Sequence, residues 1–216
     1  VNQIRNDIDL IPIPCILKPA VTIGFLEALK LNGRTLPIGD RDQLIKILDH
    51  LDNVNLSNRE YIIQETIPGG IDCLYTITAY CNLDTIITGY STGHKIRQQP
   101  PDAGTIMSGK VCYMPELLEP AQKLVSELGF TGICNIEFKK APNNGVFKLI
   151  EINARPGMWN YSATASGVNL AWLAYKDLVY RDAAPLPPSK KELVWILFLE
   201  DIYQSLFGWK RSGFSS

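Results

Sequence analysis

The stretch GICNIEFKKAPNNGVFKLIEINARP (132–156) decides the fold. Its segments 132–140 and 146–156 are rich in Ile, Val and Phe, which is typical of β-strands. The sequence Pro-Asn-Asn-Gly (142–145) joins them and is typical of a turn, with glycine where a positive φ can be needed. The stretch therefore predicts two antiparallel strands.

The same stretch predicts a metal site. Pairing the strands about the turn puts Glu137 opposite, or nearly opposite, Glu151. Strand side chains alternate between faces, so Glu151, Asn153 and Arg155 share one face. Two facing carboxylates destabilise a sheet unless a divalent cation binds between them. Asn153 adds a neutral oxygen, and such a donor set suits Mg²⁺.

The spacing also allows a reading without a metal. Strands commonly expose charged side chains on their solvent face, and Glu137 could then pair with Lys139 or Lys148. From the residues alone, both alternatives stay open.

Composition narrows the class of protein. The chain has 216 residues, 46% of them hydrophobic and 20% charged, as in globular proteins with a core. A net charge of −1 indicates neither a nucleic-acid nor a membrane-surface partner. The five cysteines form no CxxC pair, which favours reduced thiols in a cytoplasmic protein over a zinc site. No transmembrane segment or signal peptide is expected, and a start at Val1 is consistent with a fragment.

Periodicity predicts a mixed order of short strands and helices. There is no regular βαβ alternation and no GxGxxG or GxxxxGK[ST] motif, so we expect an α+β fold with mainly antiparallel sheets. The predicted strands are 11–19, 61–65, 74–80 and 85–90, the predicted helices are 40–51, 116–128 and 167–180, and 193–199 is a buried strand or helix.

Three of these segments carry more detailed expectations. Asp40 is predicted to cap its helix. The helix 167–180 is predicted to turn Trp172, Tyr175 and Val179 inward. The segment 94–109, which is rich in Pro and Gly, is predicted to be a loop with little regular structure.

Two further segments suggest a nucleotide site. Lys18 ends a buried strand just before Pro19, where an ammonium group can point at a phosphate. The segment IIQETIPGGID (62–72) joins a strand end to a turn, which can offer backbone groups to an adenine edge, and Asp72 can accept hydrogen bonds from a ribose.

Four motifs in order resemble the ATP-grasp superfamily: CILKPA (15–20), IIQETIPGGID (62–72), GICNIEFK (132–139) and LIEINARPG (149–157). The spacing is similar to that in the ATP-grasp halves of carbamoyl phosphate synthase. The segment HKIRQQPPDAG (94–104) looks still more like the group of predicted ATP-grasp carboligases. The resemblance covers roughly residues 10–182 and implies an ATP-grasp fold, in which two α+β subdomains hold ATP between them.

The resemblance also implies roles for individual residues. They are Lys18, Glu65, Ile67 and Asp72 for ATP, Glu137, Glu151 and Asn153 for Mg²⁺ or Mn²⁺, Arg155 for the γ-phosphate and the tetrahedral intermediate, and Arg97 for the substrate carboxylate or the transferred phosphate. A solvated surface arginine is the alternative for Arg97.

The implied activity is that of an ATP-dependent ligase. Such an enzyme activates a carboxylate as an acyl phosphate, which an amine, a thiol or another nucleophile then attacks. Its partners are small-molecule substrates, with no nucleic acid and no membrane, and a homodimer stays open. A nucleotide-binding module of a larger assembly, without catalysis of its own, is the alternative.

The chain departs from the family pattern in places. The segment 21–26 holds one glycine where relatives have a Gly-rich loop over the triphosphate, so Lys30 could serve the phosphates instead. Gln64 stands where several relatives have an acid. The N-terminal domain with which relatives help to bind substrate is expected to lie outside this sequence. The expected division is a smaller subdomain 1–66, a larger subdomain 67–182 and a C-terminal extension 183–216.

Overall fold

A computed structural model describes residues 1–21, 35–99 and 104–207. The predicted role of Lys30 in phosphate binding and most of the segment 21–26 fall outside the described residues. The chain divides into two compact units. Unit 1 comprises residues 1–67 and 99–105, and unit 2 comprises 68–98 and 106–216.

Unit 1 has a three-stranded antiparallel sheet in the order β2-β1-β3. Its core is formed by Leu and Ile side chains of the sheet and of the long helix. In chain order its elements are α1 (Asn2–Asn6), a 3-10 helix (Ile8–Leu10), β1 (Cys15–Pro19), β2 (Leu36–Ile38), α2 (Arg41–Asn53) and β3 (Tyr61–Glu65).

Helix α2 confirms the expectation for the segment 40–51. The Asp40 carboxylate accepts a hydrogen bond from the backbone N–H of Gln43 at 2.8 Å, which satisfies one of the free donors at the helix start. Leu44, Leu48 and Leu51 are buried at helical spacing and attach α2 to the sheet.

Unit 2 has a six-stranded sheet in the order β8-β7-β4-β5-β6-β9. The pairs β4–β5, β4–β7, β7–β8 and β6–β9 are antiparallel. Its strands are β4 (Leu74–Cys81), β5 (Ile87–Gln99), β6 (Thr105–Val111), β7 (Gly132–Lys140), β8 (Phe147–Asn153) and β9 (Leu193–Ile196). Its helices are α3 (Leu118–Glu127), α4 (Asn160–Ser166), α5 (Leu170–Tyr180) and α6 (Phe198–Phe207), with 3-10 turns Ile71–Cys73 and Pro115–Leu117.

The two faces of this sheet have different characters. On one face Ile77 and Ile136 pack with Val125 of α3 in an apolar core. On the other face Tyr80 joins a second apolar cluster that includes Leu173 of α5. This second face turns polar further along the strands, and that polar region contains most of the candidate site.

The prediction of a loop over 94–109 is wrong for the residues described. Strand β5 continues to Gln99 and β6 begins at Thr105. Gly93 and Gly109 lie under the indole of Trp159, and a Cβ at either position would come within 2.5 Å of that ring. Gly109, one of the residues that suggested a loop, is therefore a strand residue that, like Gly93, makes room for a large side chain.

The predicted inner face of the helix 167–180 is also wrong. Trp172, Tyr175 and Val179 are about half exposed, whereas Leu173 and Asp177 are buried. The Tyr80 hydroxyl donates a hydrogen bond to the Asp177 carboxylate at 2.6 Å. The Tyr80 hydroxyl thus allows the Asp177 carboxylate to lie on the buried face of α5, while the aromatic side chains lie on its exposed face.

The C-terminal part of the described chain belongs to unit 2. The segment 193–199 contains strand β9, which pairs with β6, and the first residues of α6. Its predicted burial is only partial, because Val194 and Leu199 are well exposed. Within residues 1–21, 35–99 and 104–207, no helix is long and apolar enough to cross a membrane. The five cysteines are free thiols.

Candidate active site

The pairing of β7 with β8 confirms the predicted register. Glu137 lies opposite Glu151, and Asn135 lies opposite Asn153. Gly145 in the connecting turn has a φ of 71°, a conformation that favours glycine. A bulge follows Glu137, so the regular pairing that aligns the polar side chains ends there.

Glu137 lies in a largely buried position. Its side chain is 15% exposed, and its Oε2 lies 2.7 Å from the Nζ of Lys95. Burial raises the pKa of the Glu137 carboxyl, while the Lys95 ammonium opposes that rise and the nearby Glu151 adds to it. The ion pair therefore helps Glu137 to keep its charge in a site with little solvent.

Lys95 is a residue of this site that the sequence did not reveal. The two expected partners of Glu137, Lys139 and Lys148, instead lie opposite each other in the strand pair. Glu137 and Gly93 both pair with Thr76 of β4, which lies between their strands. A prediction of strand structure for the segment 94–109 would have placed Lys95 near Glu137.

Asn135 is a second residue that sequence reasoning missed. The hydroxyls of Thr76 and Thr78 both donate to its Oδ1, each at 2.7 Å. These bonds leave the amide nitrogen of Asn135 on the polar face, opposite Asn153. The i, i+2 spacing from Asn135 to Glu137 was the available signal.

The remaining residues of the predicted metal group lie at the edge strand. Glu151 is exposed, and its Oε1 accepts a hydrogen bond from Nδ2 of Asn153 at 2.9 Å. Arg155 follows the end of β8, is exposed, and donates to the carbonyl of Pro156 at 3.2 Å. The structure thus brings Glu137, Glu151 and Asn153 together on one face, with Arg155 just beyond them.

Arg97 is held in place by neighbouring side chains. Its Nε donates to the Ser108 hydroxyl at 3.3 Å, and its guanidinium forms an ion pair with Asp201 of α6. Asp201 is buried, while about half of the Arg97 side chain is exposed. Arg97 is therefore anchored in β5 and does not lie in a loop.

In unit 1 two of the predicted nucleotide residues, Lys18 and Glu65, lie in the sheet, and Ile67 follows the last strand. Lys18 and Gln64 come from the paired strands β1 and β3, and the Lys18 ammonium donates to the Gln64 amide oxygen at 3.0 Å. Glu65 at the end of β3 is exposed, and Ile67 is buried. Gln64 thus offers the Lys18 ammonium a neutral hydrogen-bond acceptor.

Asp72, the predicted ribose acid, belongs to unit 2. It lies in the 3-10 turn that follows Gly69 and Gly70 and is exposed. Gly69 has a φ of 102°, and a Cβ on Gly70 would lie 2.8 Å from Oδ1 of Asp72. Gly69 is favoured by its positive φ and by Sγ of Cys73, which would lie 2.7 Å from an added Cβ, whereas at Gly70 an added Cβ would crowd the Asp72 carboxylate.

The donor set fits a hard divalent cation. Among the residues described, no group of three or more His, Cys, Asp or Glu could hold a metal ion. The site instead offers two facing carboxylates, Glu137 and Glu151, with the amide oxygen of Asn153. Oxygen donors in this number suit Mg²⁺, which binds through one or two carboxylates and substrate phosphates.

Comparison with known proteins agrees with this architecture. A protein-family model described as ATP-grasp in the biosynthetic pathway with Ter operon matches residues 95–196. The D-aspartate ligase of Enterococcus faecium is 27% identical over 173 residues, which are 77% of this chain and 40% of the ligase. The large chain of carbamoyl phosphate synthase from Methanobrevibacter smithii is 26% identical over 173 residues, or 76% of this chain and 15% of the synthase.

A solved structure shows the same fold. The N5-carboxyaminoimidazole synthetase of Staphylococcus aureus, in complex with ADP, has a TM-score of 0.60 at 13% identity, over 95% of this chain and 53% of that protein. The α+β fold is thus that of the ATP-grasp enzymes. Residues 95–196 thus match an ATP-grasp family model, in line with the predicted resemblance, and the chain spans less than half of the curated relatives that it matches.

Proposed function

We propose that this chain is the ATP-binding and catalytic part of a ligase that joins a carboxylate to an amine or another nucleophile. The observation that carries the proposal is the facing pair Glu137 and Glu151 beside Asn153, in a domain of the ATP-grasp fold. Two like charges placed opposite each other cost stability, and the single Lys95 ammonium can balance only one of them, which favours a functional reason for the pair.

The proposed metal site uses the same three residues. Glu137, Glu151 and Asn153 would hold Mg²⁺, which when bound would neutralise charge on the phosphate oxygens of ATP. The hydrogen bond from Asn153 to Glu151 keeps the two side chains together at the open edge of the sheet.

The proposed reaction has two steps. A carboxylate oxygen of the substrate attacks the γ-phosphorus of ATP, and ADP leaves. The amine then attacks the carbonyl carbon of the acyl phosphate, and inorganic phosphate leaves. Arg155 contributes a fixed positive charge to the transferred group, and Arg97, held by Asp201, binds the substrate carboxylate or the transferred phosphate.

Nucleotide binding is assigned to four residues on the basis of the family resemblance. Lys18 contacts the α-phosphate and the adenine, Glu65 and the backbone of Ile67 read the adenine edge, and Asp72 accepts from the ribose. Relatives that are named as D-aspartate ligase and L-amino acid ligase support an amino acid as one substrate. Amino acids are therefore the first compounds to test.

The test combines binding with turnover. ADP release by the full chain, and by the longest natural form of the protein, is measured with ATP, Mg²⁺ and pools of amino and carboxylic acids. Glu151→Gln should abolish turnover, whereas Glu192→Gln should leave it unchanged, because Glu192 is an exposed acid paired with Lys110. ADP release that is insensitive to Glu151→Gln would contradict the proposed site.

The same assay separates the alternative function. Binding of a non-hydrolysable ATP analogue is measured by calorimetry with and without Mg²⁺. Binding that depends on Glu151, combined with no turnover for any substrate pool in the longest natural form, would identify a nucleotide-binding module without catalysis.

A further inference from the structure

Lys95 is a buried lysine on strand β5 for which the proposed reaction gives no role. The residue is 6% exposed, and its side chain is 7% exposed. Burying an ammonium group is costly unless opposite charge and hydrogen-bond acceptors compensate for the lost water. The buried ammonium of Lys95 therefore requires a negatively charged partner, and the identity of that partner indicates the role of the lysine.

The partner is a proposed metal ligand. Nζ of Lys95 lies 2.7 Å from Oε2 of Glu137, and it also lies 3.4 Å from Oε1 of Gln98. The ammonium thus occupies one carboxylate oxygen of the pair Glu137 and Glu151. Of the two facing carboxylates, Glu137 thus already has a resident positive charge beside it.

A divalent cation bound to Glu137 would be repelled by the Lys95 ammonium. With a Mg²⁺–oxygen distance of about 2.1 Å, a cation on Oε2 would lie within about 5 Å of Nζ if Lys95 stayed in place. Repulsion at that distance weakens binding on the order of tenfold even at the dielectric constant of water. If Lys95 moved away instead, its largely buried ion pair would be lost, which is also unfavourable.

We propose that Lys95 is a built-in counter-cation that disfavours a lone divalent cation at Glu137 and Glu151, so that the metal is taken up together with a nucleotide polyphosphate. The polyphosphate supplies the negative charge that allows an ammonium and a dication to lie side by side. This inference rests on the proposed metal site and adds an order of binding to it.

The test uses Mn²⁺ as the probe, because free Mn²⁺ can be measured directly by electron paramagnetic resonance. The full chain is titrated with MnCl₂ at about pH 8, where carboxylates of ordinary pKa are ionised. Lys95→Met should bind lone Mn²⁺ about tenfold more tightly than wild type. With a non-hydrolysable ATP analogue present, the variant should show no such gain.

Two controls separate charge from packing. Lys95→Arg keeps the charge and should bind lone Mn²⁺ as weakly as wild type. Lys110→Met removes a lysine of the same sheet whose partner, Glu192, is exposed, and it should leave Mn²⁺ binding unchanged. Lys95→Gln provides a polar substitute with the same expected gain if the methionine variant does not fold.

Thermal unfolding gives a readout that is independent of turnover. Without Lys95, repulsion between Glu137 and Glu151 is uncompensated, so MnCl₂ should raise the Tm of Lys95→Met more than that of wild type. Equal or weaker binding of lone Mn²⁺ by Lys95→Met and Lys95→Gln would overturn the inference.

The outcomes also distinguish the two proposals. If Glu151→Gln abolishes metal-dependent nucleotide binding while Lys95→Met binds lone Mn²⁺ as wild type does, the metal site stands and the counter-cation role fails. If Glu151→Gln leaves Mn²⁺ binding unchanged both in the wild-type chain and in Lys95→Met, the metal site itself is wrong and both proposals fail.

Discussion

Replacing Tyr80 by Phe tests how the sheet of unit 2 is attached to helix α5. The Tyr80 hydroxyl donates to the carboxylate of Asp177 at 2.6 Å, and both residues are buried. The substitution removes one oxygen and leaves the ring in place, so it creates almost no cavity. Its main effect is to deprive a buried carboxylate of a hydrogen-bond donor.

The expected cost follows from that geometry. A hydrogen bond to a charged group contributes about 1.5–3 kcal/mol. A loss of about 2 kcal/mol corresponds to a fall in Tm of about 4–8 °C for a protein of this size. Tyr161→Phe is the matched control, because Tyr161 is 71% exposed, and it should change the stability by less than about 0.5 kcal/mol.

Urea unfolding followed by tryptophan fluorescence is the suitable assay. The four tryptophans of the chain lie at positions 159, 172, 195 and 209, so the signal reports on unit 2. Tyr80→Phe should also cost much less in an Asp177→Ala background, because the acceptor is already gone. A stability within about 0.5 kcal/mol of wild type would refute the reasoning.

The same bond predicts a dependence on pH. Burial, and then the bond to Asp177, raise the pKa of Tyr80 above the value of about 10 for an unfolded chain. The stabilisation is therefore fully present below about pH 10 and is lost as the pH rises towards the folded-state pKa. Wild type should lose stability more steeply above about pH 10 than Tyr80→Phe does, and parallel curves would contradict the assignment.

Three further substitutions test other parts of the structure. Asp40→Ala should lower the stability of unit 1 by about 1 kcal/mol through loss of the cap on α2, measured by circular dichroism in urea. Gly93→Ala should cost at least about 2 kcal/mol, because its Cβ would lie 2.5 Å from both the Trp159 ring and the Lys110 carbonyl oxygen. Gly157→Ala is the control and should be nearly neutral in the same measurement, because the nearest atom to its Cβ would be Asn135 Cβ at 4.0 Å. Arg97→Ala and Asp201→Ala should each lower kcat/KM in the ligase assay. The double variant should be little worse than Arg97→Ala alone, because Asp201 acts by holding Arg97. Additive losses in the double variant would argue against that coupling.

Local sequence was enough to predict the strand pair with the facing carboxylates. The turn at 142–145 brings β7 and β8 together, and the bulge beside Glu137 then places Glu151, and not Ile150, opposite Glu137. The cap at Asp40 and the buried leucines of α2 were equally predictable, because short-range geometry controls both.

Other features depend on contacts between distant segments. Gly109 was one of the residues that suggested a loop, and only the indole of Trp159 shows why glycine is needed at this strand position. The aromatic residues of α5 suggested an inner face, but the hydroxyl of Tyr80 allows Asp177 to be buried in their place.

Ordered motifs were enough to indicate the resemblance to the ATP-grasp superfamily, and strand periodicity was enough to indicate the α+β class and a near-opposite placement of Glu137 and Glu151, because both signals act over short distances. The charge around that pair depends on tertiary contacts. Lys95 is brought beside Glu137 by the strand β4 that lies between them, and Arg97 is held by Asp201 from the far C-terminal helix. Such ion pairs join residues distant in the chain, and no local pattern encodes them.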